Sequence, residues 1–114
     1  MLKLLVSLIL LATGEMKAPN LLNETCNCPA VESLQPGRST GSIYTIEWPS
    51  VSGATAYEVW YYRQEGAHTS TVYQTPNTYF AFSNLIAGQY TFYVRAVCTL
   101  EKSAVIGVYD ILEN

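Results

Sequence analysis

The sequence predicts a seven-stranded all-β sandwich, and three observations carry that prediction. Tyr44, Ile46 and Trp48 alternate with Thr45 and Glu47, and Tyr57, Val59 and Tyr61 alternate with Glu58 and Trp60, which is the period-2 pattern of strands with one buried face. Turn residues then recur roughly every eight to twelve positions, the spacing of a sandwich. Finally, nine Tyr, three Phe and two Trp crowd a chain of 114 residues whose helix formers cluster nowhere beyond the N-terminus, and aromatics suit pleated, half-buried surfaces.

The chain opens as an address. Lys3 is followed by the apolar run Leu4–Ala12 and then by Ala12-Thr13-Gly14, the order of a secretory signal, and cleavage is expected after Gly14. The run is far shorter than the roughly 20 residues that a membrane-spanning helix needs. A buried N-terminal helix is the alternative, but Glu15–Thr25 contains the breakers Pro19, Asn20 and Asn23 and no continuing period to pack one. Residues 15–27 read as a disordered leader, and the domain as 28–112. Asn23-Glu24-Thr25 is a glycosylation sequon, relevant only in a eukaryotic secretory pathway.

An exported chain occupies a compartment where disulfides persist, so the three cysteines form one pair and leave one over. Joining Cys28 to Cys98 ties the first strand to a late central one. Closing a loop of about 70 residues is worth roughly 4 kcal/mol in the chain-entropy model. Cys26 with Cys28 closes only a small strained ring, and the remaining Cys26 is left as a free thiol, a cap for another thiol or a link to a second copy. A lipid anchor on Cys26 lacks the small apolar residues that should precede it. A metal site from Cys26, Cys28, Cys98 and His68 matches none of the usual zinc spacings.

Taken in order, Pro29–Leu34 is the first strand, with a turn at Pro36-Gly37-Arg38-Ser39. The two organising strands follow within Ile43–Tyr62, separated by the breakers Pro49, Ser50, Ser52 and Gly53. Glu65–His68 turns the chain, Thr69–Gln74 is a β-branched strand, and Pro76-Asn77 turns it again. Thr78–Phe82 places Phe80 and Phe82 on one face. Tyr90–Val97 places Tyr90, Phe92, Val94 and Ala96 on one face and Thr91, Tyr93, Arg95 and Val97 on the other. Ser103–Ile111 is the last strand.

Trp48, Val51-Ser52-Gly53-Ala54 before Tyr57 and Val59, and the spaced set Leu85, Gly88, Tyr90, Phe92, Val94 and Ala96 together resemble the fibronectin type III family, over roughly Pro29–Ile111. The resemblance implies an immunoglobulin-like sandwich in which Trp48 and Tyr57 are core residues, and Leu85 and Tyr90 form a tyrosine corner. The Cys28-Pro29 start and the Ala96-Val97-Cys98 ending resemble secreted bacterial versions, which supports the Cys28–Cys98 bridge. The chain has no Arg-Gly-Asp tripeptide to support integrin binding and no Trp-Ser-x-Trp-Ser motif of cytokine receptors.

Composition and motifs narrow the function classes. A net charge of -3 with no Lys/Arg cluster argues against nucleic acid. One His, scattered acids and no phosphate-binding loop offer no catalytic constellation and no cofactor, so a non-enzyme is expected. Glu47 and Glu58 read as surface carboxylates or partners of Arg63 or Arg95.

The sharper feature follows from alternation. Trp60 and Tyr62 point away from the core on one strand, and Tyr93 and Arg95 on a second, which the resemblance makes its neighbour. Trp60, Tyr62, Tyr93 and Arg95 therefore form one outward patch of residue types enriched at binding hot spots, fit for a protein or carbohydrate at the cell surface. The alternative is an aromatic and cationic ladder that stabilises the sheet, in a structural or assembly unit that dimerises through Cys26 or an edge strand.

Overall fold

The computed structural model of the chain describes residues 28–113. The expected signal at 1–14, the leader at 15–27, Asn23 and Cys26 lie outside the described residues. No helix among the described residues is long and apolar enough to cross a membrane.

Eight strands form two antiparallel sheets: β1 (Arg38–Thr40), β2 (Ile43–Glu47), β3 (Ala54–Arg63), β4 (His68–Thr69), β5 (Tyr73–Thr75), β6 (Tyr79–Phe82), β7 (Gly88–Cys98) and β8 (Ile106–Leu112). The small sheet has the order β1-β2-β6. The large sheet has the order β4-β3-β7-β8, with β5 also on β3. Tyr44, Ile46 and Phe82 of the small sheet face Tyr57, Val59, Tyr90, Phe92, Val94 and Ala96 of the large one, and all are buried, as is Trp48 just past β2. The alternation expected for β2, β3 and β7 is thus the alternation observed, because one face of each strand is committed to this core.

Two elements differ from the sequence reading. Pro29–Leu34 is not a strand; the first strand is Arg38–Thr40, inside the expected turn, paired with β2 through Gly41-Ser42. Pro29 and Pro36 have no N–H to give a ladder. Val31 and Leu34 are instead buried as plugs against the core, which produces the same apolar signal without strand pairing. The expected strand Thr69–Gln74 is split into β4 and β5, which accounts for eight strands where seven were expected. Ser70 causes the break. Its N–H donates to the Tyr61 carbonyl at 2.8 Å while its hydroxyl accepts the Tyr61 N–H at 2.9 Å, so a side chain replaces the next backbone acceptor and the chain leaves the ladder until Tyr73.

Cys28 is bonded to Cys98 at the end of β7, with Cα atoms 5.7 Å apart and a sequence separation of 70. The bridge pins the segment that carries Val31 and Leu34, and it removes both cysteines from any metal set with His68. Tyrosine hydroxyls tie down the loops. Tyr90 donates to the Ile86 carbonyl at 2.7 Å, the corner that the resemblance implied, with Leu85 packed against the core. The Tyr57 hydroxyl accepts the Val51 N–H at 2.8 Å.

Tyr44 makes the most consequential tie. Its ring stacks on Phe92 across the two sheets, with centroids 4.4 Å apart. Its hydroxyl accepts the Gly37 N–H at 2.6 Å and donates to Asp110 Oδ2 on β8 at 2.5 Å. Burial, reinforced by the bond to Asp110, pushes this hydroxyl well above the ordinary phenol range, so it remains a donor at any working pH. Gly37 is required at this point, since a Cβ there would sit 2.1 Å from the Thr45 carbonyl oxygen.

Replacing Tyr44 by Phe keeps the ring stack and strands both polar partners. The expected loss is about 1–3 kcal/mol, against about 1 kcal/mol for Tyr90→Phe, whose hydroxyl serves a single carbonyl. Urea midpoints of the two variants check the order, and a loss at Tyr44 no larger than that at Tyr90 contradicts the bridging role.

Candidate binding face

The outer face of the large sheet is set by register. Trp60 lies opposite Tyr93, Glu58 opposite Arg95 and Tyr62 opposite Thr91; on the far side of β7, Tyr93 lies opposite Gly107 and Thr91 opposite Tyr109. Because side chains alternate across a strand, all of these share the face turned away from the core.

Two of the other three expected residues contact Trp60. The Trp60 and Tyr93 rings stack with centroids 5.5 Å apart and planes 23° from parallel. Arg95 Cζ lies 5.5 Å from the Trp60 centroid, within cation-π range. Tyr62 sits two residues along β3, on the same face, and its ring joins no aromatic pair among the described residues. All four side chains are half-buried by their neighbours. Tyr93 also covers Gly107: a Cβ at that position would meet the ring 3.0 Å away, so the absence of a side chain is what lets the ring lie down on β8.

A charge cluster anchors one end of the row. Glu58, with its side chain only 12% exposed, accepts from Arg95 Nε and Nη2 at 2.8 Å and pairs with Lys102 Nζ at 3.0 Å. Burial of this carboxyl raises its pKa, but the hydrogen bonds from Lys102 and Arg95 outweigh that and hold it below the usual carboxylate range. Glu47 pairs with Arg38 at 3.0 Å on the surface, rather than with Arg63 or Arg95. Arg63 is spent on the Ala87 and Glu65 carbonyls.

The structure adds residues that sequence reasoning missed. Tyr109 and Ile111 are 51% and 54% exposed and extend the same face onto β8, and Tyr109 donates to Gln89 Oε1 at 2.6 Å. The alternation of Gly107, Tyr109 and Ile111 against Val108 and Leu112 carried that signal.

This arrangement of two sheets has close counterparts. The chain is similar to the fn3 domain of human collagen alpha-1(XX) chain, with a TM-score of 0.67 at 18% identity over 81% of this chain and 91% of that one. It has the fibronectin type III fold. A second fibronectin type III structure, FN3tt, matches with a TM-score of 0.60 at 19% identity over 74% of this chain and 92% of that one. The twitchin kinase region from C. elegans matches with a TM-score of 0.61 at 16% identity over 75% of this chain and 17% of that one. No protein-family model and no curated protein sequence matches the chain. In this fibronectin type III sandwich the outward aromatic row belongs to the two long central strands, β3 and β7.

The charge cluster gives the face a pH dependence. A carboxyl whose pKa is lowered on folding contributes stability above its ordinary value of 4.5 and loses it as pH falls through the folded value. The urea midpoint is therefore expected to fall below pH 4.5, and Glu58→Gln to be less stable than the native chain at pH 7 but with a shallower acid decline. Parallel midpoint curves for the two proteins contradict the assignment.

Proposed function

We propose that the chain is a small exported, non-catalytic module that binds a protein at the cell surface through the outer face of its large sheet, with Trp60, Tyr62, Tyr93 and Arg95 at the centre of the contact. The observation that carries this reading is the contact of both Tyr93 and Arg95 with Trp60 on a face that continues into exposed Tyr109 and Ile111. Trp, Tyr and Arg dominate binding energy where they are held rigid before the partner arrives, because little side-chain entropy is then lost on contact. A protein is favoured over a carbohydrate, since the Trp60 ring already touches Tyr93 and Arg95 and does not stand free for a sugar to stack on. Export is supported by the N-terminal signal pattern and by the Cys28–Cys98 bridge, which persists in oxidising compartments.

A second reading is favoured by the way Tyr93 lies on Gly107: the row is a ladder that stabilises the sheet in a structural or assembly unit, with Cys26 as a link between copies.

The two readings separate in a capture experiment on the source's medium and surface fraction, with a glycan panel beside it. The native chain is compared with Trp60→Ala and with a control variant of equal thermal stability altered on the small sheet. The binding reading expects a saturable protein partner held at least about 30-fold more weakly by Trp60→Ala than by the control. Equal capture by all three proteins overturns it. Capture of glycans alone replaces the protein with a sugar.

A further inference from the structure

Among the described residues the large sheet has one long unguarded edge. Its opposite edge is covered only by the two short strands β4 and β5, broken by Ser70. In the small sheet, β1 is three residues and carries the Arg38–Glu47 ion pair, and β6 is four. Short or interrupted edges and charged side chains are the usual protection against pairing with another chain. β8 has none of these over its seven residues, Ile-Gly-Val-Tyr-Asp-Ile-Leu. Its single charge, Asp110, is turned to the Tyr44 hydroxyl.

One hydrogen bond shows which backbone groups face that edge. The Ile111 N–H donates to its own Asp110 Oδ1 at 2.9 Å rather than to β7. In an antiparallel ladder alternate residues bond the same neighbour, so Gly107, Tyr109 and Ile111 all direct their N–H and C=O groups outward, away from β7. Among the described residues no strand pairs with them.

We propose that β8 pairs antiparallel with β8 of a second copy of this chain, about a twofold axis at Tyr109, joining the two large sheets into one. The sequence of the edge is self-complementary in that register. Each Tyr109 N–H donates across the axis to the Tyr109 carbonyl of the other copy, and each Gly107 N–H donates to the Ile111 carbonyl. The Ile111 N–H keeps its Asp110 cap, so the free donors at Gly107 and Tyr109 are matched. On the outer face the Ile111 side chain comes beside Gly107 and the Tyr93 ring that covers it, and the two Tyr109 side chains face each other across the axis, an aromatic cross-strand pair. The register brings no charged side chain onto the outer face of the seam in a chain whose net charge of -3 otherwise makes copies repel. The same patch serves both copies, as a twofold interface requires. This inference does not rest on the partner-binding reading.

The test is sedimentation of the oxidised, exported chain over a wide concentration range, beside its Cys26→Ser, Tyr109→Lys and Tyr79→Lys forms. The expected result is a concentration-dependent dimer that persists in Cys26→Ser and in Tyr79→Lys, which charges the β6 edge. In Tyr109→Lys, two ammonium groups face each other across the axis, and the dimer should weaken by at least about tenfold with the monomer's melting temperature retained. Hydrogen exchange adds a direct readout: the Gly107 and Tyr109 amides should become protected as concentration rises. A chain that stays monomeric, a dimer unaffected by Tyr109→Lys, a dimer lost in Cys26→Ser, or a dimer in which those two amides exchange freely each overturns the proposal.

Discussion

The two sheets are held in one relation by Tyr44. Stacking on Phe92 is ordinary core packing and would hold the sheets at the same spacing with any large ring. The hydroxyl adds direction, because it joins the approach to β1 through Gly37 and β2 itself to β8, 66 residues further on, through Asp110. A buried phenol that both accepts and donates leaves none of these groups unsatisfied, and it fixes where the first segment crosses the end of the sandwich. The position of Val31 and Leu34 follows from this crossing and from the Cys28–Cys98 bridge at its other end. The first segment is therefore held by a bond, two plugs and one phenol, with no ladder over Pro29–Leu34.

That is also why this segment was the hardest to read. Alternation reports which residues face the core; it does not report which backbone groups pair. Where an element has both properties, as in β2, β3 and β7, Tyr44, Ile46, Val59, Phe92 and Val94 made the fold legible. Val31 and Leu34 are buried without a ladder and so imitate a strand. The split between β4 and β5 was invisible for a related reason. A serine among β-branched residues reads as a polar strand position, and only the coordinates show its hydroxyl taking the Tyr61 N–H. The cysteine pairing was legible by another route: Cys26 with Cys28 closes only a small strained ring, the resemblance to secreted fibronectin type III modules supports Cys28 with Cys98, and that bridge is the one observed.

The outer face was legible in membership and illegible in contact. Alternation alone puts Trp60, Tyr62, Tyr93 and Arg95 outside, but the register of β3 on β7 decides which of them touch. Trp60 opposite Tyr93 and Glu58 opposite Arg95 form a continuous row from Lys102 to Gly107, and Tyr62, opposite Thr91, is left beside it. The contacts half-bury the aromatics and stiffen them. Stiffness serves a ladder and a binding surface equally, since both gain when side chains have little freedom left to lose. One row thus serves both ends, and it runs to the place where stabilisation of the sheet ends.

It ends at β8. Tyr93 reaches β8 by lying over Gly107, and beyond that glycine the face carries Tyr109 and Ile111, which are about half exposed and have no strand on their far side among the described residues. A glycine at this place lets the aromatic row approach the edge without ending in a clash. Asp110, next to these residues, works in the other direction. Its carboxylate anchors β8 to Tyr44 through one oxygen and caps the Ile111 N–H with the other, so the acid that completes the core also shortens the open edge from within. The internal tie and the external edge are thus coupled through one carboxylate. Loosening the Tyr44 bridge frees Asp110 and alters which backbone donors β8 presents. The core and the outer edge of the large sheet therefore meet at one side chain, that of Asp110.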